Sequence, residues 1–121
     1  MKRILTLILL VSSLLYGCDY FISIEEDNKP QLEIHVFSND SLLIAGAYVQ
    51  LFQSLDDWYN KSHLIDSTYT NQDGVALFKE LEETVYYFYV TKDSMDNTQG
   101  IVYFENPLKK NEIKVLEITI Q

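Results

Sequence analysis

The chain has 121 residues and a net charge of −9, with 47% hydrophobic residues, one cysteine and two histidines. That length suits one small domain and not two. An acidic surface of this kind repels phosphate backbones and anionic headgroups, so neither nucleic acid nor a polybasic membrane patch is expected.

Taken in chain order, the N-terminus has the pattern of an export signal. Lys2 and Arg3 form a cationic head, and in Ile4 to Tyr16 the only polar members are Thr6, Ser12, Ser13 and Tyr16. Asp19 ends this run short of the ~20 apolar residues that a bilayer crossing requires. Leu15-Tyr16-Gly17-Cys18 then resembles the bacterial lipobox, with Leu three residues before Cys and a small residue directly before it. The resemblance implies that the Cys18 sulfur carries a diacylglyceryl group, that residues 1–17 are cut away, and that the new amino group is acylated. Removing residues 1–17 leaves 104 of the 121, and losing Lys2 and Arg3 takes the charge from −9 to −11. A lone thiol in an exported chain has no internal disulfide partner, which agrees with lipid attachment. Each buried methylene adds about 0.8 kcal/mol, so two or three acyl chains hold stably where one does not.

Residues 18–30 read as the lipidated cysteine and a tether, apolar at Tyr20, Phe21, Ile22 and Ile24, and acidic at Glu25, Glu26 and Asp27. Twelve residues reach about 40 Å at roughly 3.3 Å each. The acidic triplet resembles the surface-export signal of some Gram-negative lipoproteins. The expected location is the bacterial cell envelope, at the outer membrane, with the periplasmic or surface face left open.

From Gln31 the apolar residues alternate, and the segments are rich in Val, Ile, Thr and Tyr, which predicts strands over 31–121. Leu32, Ile34 and Val36 share one face of the first strand, opposite Glu33 and His35. Ser38 to Ser41 form a turn. Gly46 to Gln53 is a second strand with Ala47, Val49 and Leu51 on one face, and Ile65 to Thr70 a third. The turn Asn71-Gln72-Asp73-Gly74 leads into a fourth, Val75 to Phe78. Thr84 to Lys92 is β-prone and apolar on both faces, which predicts a central position. Gly100 to Phe104 and Glu112 to Gln121 complete the set, the last with Leu116, Ile118 and Ile120 on one face. The expected fold is all-β, a single antiparallel seven-stranded sandwich.

Gly46-Ala47, Val49, Thr68 and Thr70, Asp73-Gly74, Phe78, Leu81 and the aromatic run Tyr86 to Val90 carry a further likeness. Their order resembles the carboxypeptidase-regulatory-like, transthyretin-like sandwich domains, which include the B-type repeats of collagen adhesins. The resemblance implies an Ig- or transthyretin-like fold and says little about activity, because such domains serve as stalks, adhesin modules and accessory units. Some adhesin repeats carry a Lys-to-Asn or Lys-to-Asp crosslink. The first strand here has no Lys, so that bond is not predicted.

Nucleophilic catalysis needs a base beside the nucleophile, and neither His35 nor His63 lies in a catalytic signature. A Gly-x-Ser-x-Gly elbow and a phosphate-binding glycine loop are both lacking. Enzymatic activity and a cofactor are not expected. Asp56, Asp57 and His63 share one loop, but their spacing fits no established metal-ligand pattern. The same loop holds Trp58 and Tyr59, which stack on a sugar or anchor a peptide if exposed, or cap the sandwich if Trp58 folds back. Trp58, Tyr59 and His63 are the candidate ligand residues. Asp40-Ser41-Leu42, Asp66-Ser67-Thr68 and Asp93-Ser94-Met95 resemble the acceptor of a general O-glycosylation system in some Gram-negative bacteria. That resemblance implies glycans on Ser41, Ser67 and Ser94. The leading expectation is a non-enzymatic accessory, scaffold or interaction module with an envelope-protein partner. A glycan- or peptide-binding lipoprotein is the alternative.

Overall fold

A computed structural model describes residues 28–121. The export signal, Cys18, most of the tether and the acidic triplet lie outside the described residues. Two sheets face each other as a β-sandwich. The strands are β1 (Gln31–Ser38), β2 (Tyr48–Phe52), β3 (Asp66–Tyr69), β4 (Val75–Phe78), β5 (Tyr87–Lys92), β6 (Met95–Asp96), β7 (Val102–Tyr103) and β8 (Ile113–Ile120). One helix, α1 (Leu55–Asn60), follows β2. Sheet one has the order β4-β1-β8, and sheet two runs β3-β2-β5-β6 with β7 also paired to β5.

The alternation seen in the sequence sets the layers. Leu32, Ile34 and Val36 of β1 point inward with Ala76 and Phe78 of β4 and Ile118 and Ile120 of β8. From the facing sheet they meet Val49, Leu51, Phe88 and Val90. Each of these residues is buried, and burial of a large aliphatic or aromatic side chain contributes about 1.5–3 kcal/mol. A one-residue slip in any of these strands turns its apolar set to water, so the core pins the register. The expected central strand is central: β5 pairs with β2 across five positions and with β6 and β7 beyond it.

The all-β sandwich is present, with three departures in detail. Among the described residues eight strands form where seven were expected, because Lys92 and Met95 pair across a tight reversal at Asp93-Ser94. The sandwich is not wholly antiparallel: β1 and β8 run parallel over eight paired residues, Gln31 beside Ile113 through Ser38 beside Ile120. Alternation reports which face a residue takes and is blind to strand direction. The stretch read as a loop after β2 holds α1, since Ser54 caps it by accepting the Asp57 N–H at 3.1 Å. Six residues make a segment too short for helical periodicity to show.

The Asn71 to Gly74 turn forms as expected. Asn71 Oδ1 accepts the N–H groups of Asp73 and Val75 at 2.9 and 3.1 Å. Gly74 has φ +76, and a Cβ there would sit 3.0 Å from Leu43 Cβ, so both backbone and space require glycine. Buried Thr70 ties the preceding loop, donating to Ile44 O at 2.7 Å and accepting the Ala47 N–H at 2.8 Å.

Candidate binding surface

The residues singled out in the sequence separate once placed. Trp58 is 2% exposed, and its indole N–H donates to the Phe88 carbonyl at 2.7 Å. Of the two readings of Trp58, the folded-back one holds: the indole belongs to the packing of α1 on sheet two and is unavailable for stacking on a ligand. Its rings meet Tyr59 edge-on at 5.1 Å and Tyr89 edge-on at 5.9 Å. Tyr59, by contrast, is 62% exposed. His63 is also exposed, and its Nδ1 lies 2.8 Å from Asp57 Oδ1.

Asp57 organises the end of α1. The His63 hydrogen bond holds its carboxyl below the ordinary carboxylate range against the opposing effect of burial, and the Ser62 and Ser54 hydroxyls add to the lowering. Lys61, left-handed at φ 54, closes the helix and donates its ammonium to the Trp58 carbonyl. That ammonium sits 4.4 Å above the Trp58 ring centroid and 4.0 Å above Tyr89. Burial pushes the Lys61 pKa down, and the Asp96 carboxylate opposes the shift. The charge is thus engaged by two rings, a carbonyl and a carboxylate, and is a strut of α1.

A second polar device underlies the same region. Asn97 is 2% exposed; its Oδ1 accepts the Val90 N–H at 2.9 Å, and its Nδ2 donates to the Phe88 carbonyl at 2.8 Å. After the short β6 the side-chain amide takes the place of a neighbouring strand along β5. Phe88 O therefore accepts from both Asn97 and Trp58, which fixes α1 to the sheet.

The three serines differ in setting. Ser41 is exposed beside a shallow cleft lined by Phe37, Ser38, Asn39, Glu117 and Thr119. Ser94 is exposed in the β5–β6 reversal. Ser67 is half-buried in mid-strand, where its Oγ accepts the Tyr48 hydroxyl at 3.1 Å. His35 lies on the outer face of β1 as expected, half-buried and 2.7 Å from Glu33. Among the described residues no three His, Cys, Asp or Glu side chains converge as a metal site requires. No described helix is long and apolar enough to cross a membrane.

What the sequence reading missed is the grouping of tyrosines. In β2 and β5 the inward positions are Val49, Leu51, Phe88 and Val90, so Tyr48, Tyr87 and Tyr89 project outward. Tyr48 pairs in register with Tyr69, and Tyr87 with Tyr103. Their rings follow, at 4.9 Å and 34° for the first pair and 5.5 Å and 21° for the second. Tyr69 is 64% exposed and Tyr103 53%. The signal was present as every-second-residue spacing, but β-propensity accounted for each tyrosine singly.

Comparison with solved structures places this geometry in context. The Bacillus anthracis TIE protein aligns with 78% of this chain at a TM-score of 0.56 and 16% identity, and the alignment spans 16% of that protein's length. The two share a fold. A group B streptococcus pilus 2b backbone protein aligns over 76% of this chain at a TM-score of 0.49 and 15% identity, covering 40% of its own chain. Catechol 1,2-dioxygenase from Pseudomonas arvilla C-1 aligns over 81% at 0.47 and 9% identity, covering 53%. This chain thus spans about half or less of each solved structure. No family model and no curated protein matches the sequence. The β-sandwich is accordingly established from structure, while the tyrosine surface rests on this chain's own residues.

Proposed function

We propose that this chain is a lipid-anchored, non-enzymatic protein of the bacterial cell envelope, held by acyl chains on Cys18 and acting as an accessory, scaffold or interaction module. The observation that carries the reading is how the chain enters the sandwich. Asn28 exchanges bonds with Asn111, its N–H meeting Asn111 Oδ1 at 2.9 Å and its carbonyl accepting the Asn111 N–H at 2.8 Å. Lys29 pairs with Glu82 at 3.2 Å, and the Pro30 carbonyl accepts the Leu81 N–H. The end at which the tether enters is therefore pinned, and a lipid on Cys18 would attach the sandwich by that end. The likeness to carboxypeptidase-regulatory-like domains supports the same reading, since that fold serves as a structural or accessory unit.

The ligand-binding alternative survives in altered form, with Tyr59 and His63 available and Trp58 withdrawn into the packing. The acidic triplet Glu25-Glu26-Asp27, with its resemblance to a Gram-negative surface-export signal, favours the outer membrane as the site. Intact mass of protein extracted from native membranes tests the anchor, which requires a diacylglyceryl adduct and an N-terminus at Cys18. Crosslinking and co-purification of wild type against Cys18→Ser tests the role. A stoichiometric envelope partner lost with Cys18 supports the scaffold, and a wild-type protein that comes away alone counts against it.

A further inference from the structure

We propose that the outer face of sheet two binds a neutral polysaccharide through its exposed tyrosines, a step that rests on reading the domain as a binding module. Seven tyrosines lie among the described residues. Only Tyr86 is internal, its hydroxyl accepting the Glu82 N–H at 3.0 Å. The other six, Tyr48, Tyr59, Tyr69, Tyr87, Tyr89 and Tyr103, project from the outer side of sheet two or from α1 above it. Alternation alone distributes tyrosines to either sheet. Here the outer face of sheet one instead carries the exposed aliphatic residues Leu77, Ile113 and Val115.

The chemistry of the tyrosine face selects the ligand. A pyranose ring offers a flat C–H surface edged by hydroxyls, which fits an aromatic ring bordered by small polar groups. In the row beside Tyr48 and Tyr69 stand Ser67, Gln50 and Tyr89, in register across β3, β2 and β5. The Tyr48 hydroxyl is already held by Ser67, so its ring is oriented before any ligand arrives. Tyr69 and Tyr103 lie three strand spacings and two rows apart, about 20 Å, with Tyr89, packed by Trp58 and Lys61, in the row between, so each tyrosine pair is a separate platform for a sugar ring.

Charge decides between sugars. Lys61, the cation set against Tyr89 of this face, is occupied by Trp58, Tyr89 and the Trp58 carbonyl. The chain as a whole carries −9. An acidic glycan meets the repulsion of that net negative charge, whereas a neutral one meets none. Protein-binding surfaces combine tyrosine with arginine and methionine; the outward positions of β2, β3, β5 and β7 hold neither, and Met95 of β6 packs against the core.

Titration calorimetry of the purified protein with cellohexaose, mannohexaose and chitohexaose, and with an oligogalacturonate as the acidic probe, tests the proposal. At least one neutral probe binds and the acidic one does not. Tyr69→Ala and Tyr103→Ala each weaken binding by about tenfold or more, as loss of a central aromatic contact does. Tyr69→Phe keeps the ring and stays within about threefold, and Leu77→Ala on the opposite sheet leaves binding unchanged. A folded wild type that binds none of the three neutral probes overturns the proposal, as does preferential binding of the acidic one. If the Tyr69→Ala, Tyr103→Ala double variant instead loses a co-purifying protein and no sugar binds, the face is a protein interface and the proposal fails. The anchor is read separately: a missing lipid mass refutes the Cys18 reading and leaves the sugar titration intact.

Discussion

Replacing Asn97 by alanine should destabilise the domain more than removing the indole N–H of Trp58, although both side chains bond the same carbonyl. Asn97 supplies two bonds, to Val90 N–H and Phe88 O, from a site only 2% exposed. In Asn97→Ala the Phe88 carbonyl keeps Trp58, but the Val90 N–H loses its side-chain acceptor in a closed environment. An orphaned buried donor costs about 1–3 kcal/mol and the lost bond to Phe88 adds ~1, giving roughly 3 kcal/mol. Trp58→Phe leaves Phe88 O satisfied by Asn97 and loses one bond plus part of a ring, about 1–2 kcal/mol. Urea unfolding followed by far-ultraviolet circular dichroism gives both values, provided the slopes match wild type. Asn97→Ala costing less than ~1 kcal/mol, or less than Trp58→Phe, would show that the amide is not the partner that β5 depends on.

Other substitutions probe separate links. Trp58→Ala should cost about 3–5 kcal/mol by emptying the space beneath α1, with loss of near-ultraviolet dichroism from the aromatic cluster. Gly74→Ala combines a left-handed backbone with a Cβ 3.0 Å from Leu43, and a loss of about 1–3 kcal/mol in the same unfolding assay is expected. Asp57 titrates below the ordinary carboxylate range, so its contribution to stability is present above the unfolded carboxylate pKa and disappears as pH falls through the folded one. Carbon-detected NMR titration should show the Asp57 pKa rising towards the ordinary value in His63→Ala; an unchanged midpoint would refute the pairing. Glycan, if attached, should appear at the exposed Ser41 and Ser94 and not at Ser67, whose hydroxyl is bonded to Tyr48; intact masses of Ser41→Ala and Ser94→Ala check this.

The inward faces were readable because the sandwich core obeys a period of two. Leu32, Ile34, Val36, Val49, Leu51, Ile118 and Ile120 all point where the alternation put them. The Asn71 to Gly74 turn was equally legible, because an asparagine and a glycine there serve named backbone needs. Strand direction was not, since β8 has the same pattern whether it lies parallel or antiparallel to β1. The helix escaped because one Ser cap and six residues leave too little periodicity, so the folded-back position of Trp58 was legible as an alternative and the α1 packing that buries it was not. The tyrosine face failed to register for a different reason: it is assembled from β2, β3, β5 and β7, and only the pairing register brings Tyr48 to Tyr69 and Tyr87 to Tyr103.

The parallel pairing of β1 and β8 has a mechanical side. Asn28 leads into one end of β1, and Gln121 follows the far end of β8, its neighbour. A pull that draws these two points apart runs along both strands and loads their shared ladder in shear. All eight register pairs then resist together, whereas a hairpin pulled at its open end unzips one rung at a time. A domain tethered at one end and loaded at the other would yield abruptly at high force, with little extension beforehand.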